Sequence, residues 1–104
     1  MFRILKKKPI TRVYHAIPAD FGWESRPSTF RPSCYRLVAE VETVDLKMAY
    51  SLTNHGEDDW ARNRGVKARG NERRSTSVGD ILVTPDNRVF RVASFGFIHL
   101  FTLE

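Results

Sequence analysis

The sequence predicts a small α+β protein, with one helix packed on a curved, partly closed (barrel-like), mainly antiparallel sheet and with one long basic loop. Two observations lead to this class. Apolar residues alternate with polar ones in several short segments, which is the period of half-buried strands. After Asp45 the period changes to that of a helix. We expect residues 1–104 to form a single domain, because a chain of 104 residues leaves no room for a second.

Five segments are predicted to be strands, because they are rich in β-branched and aromatic residues and are bounded by turn residues. They are residues 10–17, 35–42, 80–84, 88–94 and 97–103. The second segment has the clearest pattern, since alternation places Leu37, Ala39 and Val41 on one face and places Val38 with three charged residues on the other. Pro85-Asp86-Asn87 has the composition of a turn and predicts a hairpin between the third and fourth strands.

One helix is predicted over residues 46–53, where apolar side chains recur at helical spacing. Asp45 suits the N-cap position, and Gly56 suits the left-handed residue that ends a helix.

Two segments are predicted to be loops. Residues 18–33 contain three prolines, and we expect their aromatic residues to fold back on the core as a lid. Those aromatic residues are Phe21, Trp23 and Phe30. Residues 57–74 contain two glycines and no sustained period, which predicts a long loop with one helical turn around residues 58–62.

Composition indicates a cytoplasmic protein of a bacterial cell or an infected host. No apolar run approaches the roughly 20 residues of a membrane-spanning helix, and no apolar stretch follows the charged N-terminus as it would in a secretory signal. The single cysteine, Cys34, cannot form an internal disulfide, which fits a reducing compartment.

Positive charge is concentrated in residues 62–74, the basic segment. The net charge of the chain is +5, and this segment accounts for all of it, since its six basic residues accompany one acid. Such a segment suits contact with phosphates or with an acidic protein surface. The predicted contact residues are Arg62, Arg64, Lys67, Arg69, Arg73 and Arg74, with Trp60 and His55 expected to be exposed beside them.

Residues 73–80 predict an ordered turn before the third strand. Gly79 can adopt positive φ, and Asp80 can accept hydrogen bonds from nearby backbone amides. Two interpretations stay open. The segment is either a tight turn that sets the register of the strand, or an arginine-flanked anion site formed by Ser75, Ser77 and Gly79.

Metal binding and catalysis receive little support from the sequence. The histidines and the cysteine lack the close spacing of zinc sites, so no metal and no cofactor is predicted. His55 beside Glu57, Asp58 and Asp59 is the best candidate for an acid–base group, although exposed acidic triplets are usually only solvated. We therefore expect a binding protein rather than an enzyme.

Arg74-Ser75-Thr76-Ser77-Val78-Gly79-Asp80, the apolar strand that follows it, and Ser94-Phe95-Gly96-Phe97 resemble the small YodL-like proteins of phages, plasmids and other mobile elements. This resemblance carries over no catalytic residue. It implies an accessory protein that binds a host protein or an element-encoded protein. A weaker likeness of residues 78–101 to ASCH- and PUA-like barrels implies RNA as the ligand instead.

Three kinds of partner therefore follow from the sequence. A protein partner and a nucleic acid are distinguished by salt dependence, because phosphate contacts weaken steeply as salt rises. A second copy of the chain could also pair with an exposed edge strand of the C-terminal hairpin, which would give a homodimer.

Overall fold

Six antiparallel strands form one sheet in the computed structural model, which describes residues 8–17, 32–54 and 59–104. The strands are β1 (Thr11–Ala16), β2 (Tyr35–Val41), β3 (Val66–Ala68), β4 (Ile81–Val83), β5 (Arg88–Val92) and β6 (Phe97–Thr102). Their spatial order is β3-β2-β1-β4-β5-β6, and every neighbouring pair is antiparallel. The α+β class is confirmed. Within the described residues β3 and β6 are free edges, so the predicted closure of the sheet is not confirmed.

The five predicted strands are present, with ends that lie within two residues of the predicted ones. The prediction that residues 57–74 form only a loop is wrong, because Val66–Ala68 is the edge strand β3. Pairing with β2, rather than strand propensity of its own, makes this segment extended. The predicted helical turn is confirmed as a 3-10 turn at Trp60–Arg62, and a second such turn spans Pro32–Cys34.

A bulge in β2 interrupts the alternation that the sequence predicts. Val13 lies opposite Ala39 and Tyr14 lies opposite Leu37, so Val38 has no counterpart on β1. Both Val38 and Ala39 are fully buried in the same cluster. The extra residue therefore brings two neighbouring side chains into the core, as a bulge does.

Apolar side chains are buried on both faces of the sheet. The larger cluster lies under the helix and consists of Val13, Val38, Ala39, Val41, Ala49, Trp60, Leu82 and Val92. The smaller cluster lies on the opposite face, where Ile81, Val83 and Val89 are buried against Tyr14, Tyr35, Leu100 and Phe101. The central strand β4 is therefore buried on both sides, whereas β1 is fully buried on one face and partly buried on the other. The predicted lid residues Phe21, Trp23 and Phe30, and Gly56, lie outside the described residues.

The helix α1 spans Leu46–Leu52 and packs on β1. Asp45 is its N-cap, as predicted, and the carboxylate accepts hydrogen bonds from the amides of Lys47 and Met48 at 2.9 and 3.4 Å. Ala49 faces the core, while Lys47, Met48 and Ser51 are exposed. No helix among residues 8–17, 32–54 and 59–104 has the length and apolarity to cross a bilayer.

Replacing Asp45 by alanine should lower the free energy of unfolding by about 1 kcal/mol, because two amides of the first turn lose their acceptor. Urea denaturation of Asp45→Ala and the wild type measures this difference. Ser51→Ala, on the exposed side of the same helix, is the control and should leave stability unchanged or slightly higher. Equal stability of Asp45→Ala and wild type would contradict the role of the cap.

Candidate functional site

Asp80 is the centre of a buried polar cluster where β1 ends and β4 begins. Its side chain is 1% exposed. One carboxylate oxygen accepts hydrogen bonds from Nη1 of Arg74 and from the amide of Ser77, both at 2.8 Å. The other accepts from Nη2 of Arg74 and from the amide of Ala16, both at 3.0 Å. These four bonds offset the cost of removing the carboxylate from water.

The turn before β4 has the geometry that the sequence predicts for it. Gly79 has a φ of 98°, and Asp80 bonds back to the amide of Ser77. The hydroxyl of Ser77 donates to the carbonyl of Ser75 at 3.0 Å. The guanidinium of Arg74 is occupied by Asp80 and by Glu72. The anion held by this turn is therefore a side chain of the protein itself.

His15 extends the cluster from the buried face of β1, and its side chain is 1% exposed. Its Nε2 lies 2.9 Å from the hydroxyl of Thr76, which lies 2.8 Å from the hydroxyl of Thr53. Its Nδ1 lies 3.4 Å from a carboxylate oxygen of Glu72. Because the hydroxyl of Thr76 donates its proton to Thr53, Nε2 of His15 is the donor in its contact with Thr76. His15, Thr76, Glu72, Asp80 and Arg74 are called the Asp80 cluster below.

The cluster changes the protonation of two of its members. Burial lowers the pKa of His15, against an opposing effect of the Asp80 charge, and the Arg74 charge lowers this pKa further. Burial alone would lower the pKa of Arg74, but hydrogen bonds and charge from Asp80 raise it overall. The folded protein therefore favours a neutral imidazole beside a charged guanidinium.

Trp60 is fully buried, so the prediction of an exposed indole is wrong. Its ring lies in the larger core cluster, and its Nε1 donates to the carbonyls of Arg73 and Arg74 at 2.9 and 3.1 Å. A buried indole needs such acceptors for its N–H, and the backbone beside the Asp80 cluster supplies them. His55, predicted to lie beside Trp60, is outside the described residues, as are Glu57 and Asp58.

The structure divides the six predicted contact residues into two groups. Three form ion pairs, which are Arg69 with Glu40 at 3.1 Å, Arg73 with Asp59 at 3.4 Å, and Arg74 with Asp80 at 2.8 Å. The other three, Arg62, Arg64 and Lys67, are exposed and form no ion pair with any residue that the structure describes. Three of the six cations of the basic segment therefore form ion pairs with carboxylates of the described residues.

An open groove that the sequence analysis does not predict lies between α1 and β5, with a volume of about 770 Å³. Phe90, Val92 and Phe97 form its floor, and Leu46 and Tyr50 form one wall. Two basic side chains, Lys47 and Arg88, and the acidic Asp45 are at its rim. The remaining lining residues are Val44, Thr84, Ala93, Ser94 and Gly96. We call this feature the α1–β5 groove.

The floor of the α1–β5 groove follows from alternation along β5. Arg88, Phe90 and Val92 lie two positions apart and share the face that carries α1. The guanidinium of Arg88 lies 5.6 Å from the centre of the Phe90 ring. Tyr50 meets Phe97 edge to face, with ring centres 6.2 Å apart. The alternation in 88–92 is visible in the sequence, but the position of α1 beside it is not.

Comparison of the chain with family models, with curated proteins and with solved structures finds no match. The resemblances to YodL-like proteins and to ASCH- and PUA-like barrels therefore stay predictions. The described chain offers three features for a functional interpretation, which are the Asp80 cluster, the exposed basic side chains and the α1–β5 groove.

Replacing Asp80 by asparagine should lower the free energy of unfolding by about 3 kcal/mol, because Arg74 then loses its buried carboxylate partner at 2.8 Å and keeps the partly exposed Glu72 at 3.4 Å. Urea denaturation at neutral pH measures the loss. Glu40→Gln is the matched control, since it removes the partner of Arg69 in a pair that solvent reaches, and it should change little. Equal losses of unfolding free energy in the two variants would show that the buried Asp80 pair stabilises the protein no more than the exposed Glu40 pair does.

Acidification should destabilise the protein through His15. Because the folded-state pKa of His15 lies below its unfolded value of 6.5, the unfolded chain takes up the proton first. The contribution of His15 to the free energy of unfolding is complete above pH 6.5. It is lost as the pH falls from 6.5 through the folded-state pKa of His15. The pH dependence of unfolding, measured by denaturation, should flatten in this window for His15→Gln. Ser51→Ala, an exposed substitution that changes no titratable group, should keep the wild-type slope.

Proposed function

We propose that this protein acts by binding a protein partner in the α1–β5 groove. The observation that carries this proposal is an open groove whose floor is aromatic and aliphatic and whose rim is polar and charged. Covering such an apolar floor with a partner releases water from it and favours association. Together with the YodL-like resemblance, the proposal describes a cytoplasmic accessory protein of a mobile element, acting on a host protein or an element-encoded protein.

The Asp80 cluster favours binding over catalysis. His15 is the described residue best suited to acid–base chemistry by its two hydrogen-bonded nitrogens. It is 1% exposed and meets Trp60 edge to face, with ring centres 6.4 Å apart. A substrate would have to displace the core to reach it. The cluster instead connects β1 to β4 and to the end of α1, which is a structural role.

Nucleic-acid binding by the basic segment is the alternative. It is favoured by Arg62, Arg64 and Lys67, whose exposed charges have no ion-pair partner in the described parts of the chain. A barrel-like closure of the sheet and an ASCH- or PUA-like activity belong to this alternative. Two observations weigh against it: Trp60 is buried and cannot stack on a base, and the other three basic residues are paired.

Site-specific photocrosslinking distinguishes the two functions. A benzophenone amino acid is placed at Val44, on the rim of the groove and 63% exposed, or at Arg62 in the basic segment. Each protein is irradiated in a lysate of the cells that carry its gene. We expect one discrete protein adduct from Val44, and we expect Phe90→Thr to weaken it strongly because that change removes one of the two aromatic side chains of the floor. Lys67→Glu, remote from the groove, should leave the adduct unchanged.

The opposite pattern would overturn the proposal. A nuclease-sensitive adduct from Arg62, with none from Val44, would support the nucleic-acid alternative. Fluorescence polarisation with labelled DNA and RNA at physiological salt would then confirm it, provided that neutralising Arg62, Arg64 and Lys67 weakens binding. Absence of adducts from both positions would reject both functions.

A further inference from the structure

The sheet face beside α1, which includes the floor of the α1–β5 groove, is long enough to hold a second helix. α1 has seven residues and packs on β1, so the β5–β6 half of the same face has no helix over it in the described parts of the chain. β5 and β6 contain five and six residues, which is a length of about 20 Å. A helix of about 13 residues spans this distance.

The groove floor selects a helix over an extended segment. β5 is hydrogen-bonded to β4 on one side and to β6 on the other, so its backbone groups are already paired. An extended segment lying across the floor would find no backbone partner there. A helix pairs its own amides and carbonyls and needs only an apolar face, which matches a floor of Phe90, Val92 and Phe97.

The charged residues that line the α1–β5 groove indicate which charge the polar side of that helix should carry. The lining residues include two cations, Lys47 and Arg88, and one acid. That acid is Asp45, whose carboxylate already accepts the first amides of α1. Lys47 is exposed and has no ion-pair partner among the described residues. Arg88 is paired with Asp86 at 3.0 Å, but both side chains are half-exposed and open to exchange of partners.

We propose, resting on the function proposed above, that the α1–β5 groove binds an amphipathic helix of a partner protein, with an apolar stripe facing the floor and acidic residues flanking it. The stripe has apolar side chains at the i, i+3 or i+4, and i+7 positions that meet Phe90 and Phe97. The acidic flank lies beside Lys47. A second copy of this chain does not supply such a helix from α1, whose residues Leu46–Leu52 contain no acid.

A pair of synthetic peptides tests the inference. Each has about 14 residues and the same leucine stripe on an alanine background, and their flanks carry either glutamate or lysine. Fluorescence anisotropy of the labelled peptides measures affinity, and circular dichroism measures the helix formed on binding. We expect the acidic peptide to bind about tenfold more tightly than the basic one at moderate salt, with a smaller ratio at high salt.

Two charge reversals locate the effect. Lys47→Glu, at an exposed position of α1, should remove most of the preference for the acidic peptide, while Lys67→Glu, on the edge strand β3, should retain it. Both positions are exposed, where substitutions usually change stability little. Equal loss in both variants would mean that net charge alone, rather than the groove, sets the preference, and would overturn the inference.

The two proposals fail in different ways. A Val44 adduct that depends on Phe90, together with equal or no binding of the two peptides, would overturn the acidic helix and leave the groove as a binding site for another ligand. Loss of the Val44 adduct together with no peptide binding would overturn both. Preference for the basic peptide would overturn the assignment of charge.

Discussion

The ion pair between Arg74 and Asp80 is the interaction on which the rest of the fold depends. Asp80 begins the segment that enters β4, and its carboxylate also holds the amide of Ala16 at the end of β1. β1 and β4 are the central strands of the sheet, so this carboxylate connects the β3-β2-β1 half of the sheet to the β4-β5-β6 half. A buried carboxylate needs several donors to remain charged, and the turn at Gly79 brings them together.

Because Asp80 needs donors, it takes up part of the positive charge of the basic segment. Read as a sequence, its six cations resemble a single surface for phosphates. In three dimensions Arg74 serves the buried carboxylate, and Arg73 lies 5.7 Å from the ring of Trp60 while it pairs with Asp59. The positive charge that the basic segment offers to a partner is therefore smaller than its sequence indicates, because some of its cations already pair with carboxylates of the protein.

Among the described residues, the α1–β5 groove arises because one short helix covers only part of a wide sheet. The sheet has six strands, whereas α1 has seven residues, or about two turns. Packed layers normally bury the apolar face of a sheet, and Phe90 and Phe97 belong to a face that α1 covers only at one side. A partner helix that lies beside Tyr50 would bury this apolar face.

Local sequence by itself determined the α+β class, five of the strands, the capped start of α1 and the turn at Gly79, because each depends on residues that are neighbours in the chain. Only the tertiary structure decided the rest. Val66–Ala68 becomes a strand through pairing with β2, and Trp60 is buried by elements distant in sequence. The groove likewise forms where α1 meets β5, about 40 residues later in the chain. Periodicity records which residues share a face, but not which faces come together, since packing between distant segments sets that.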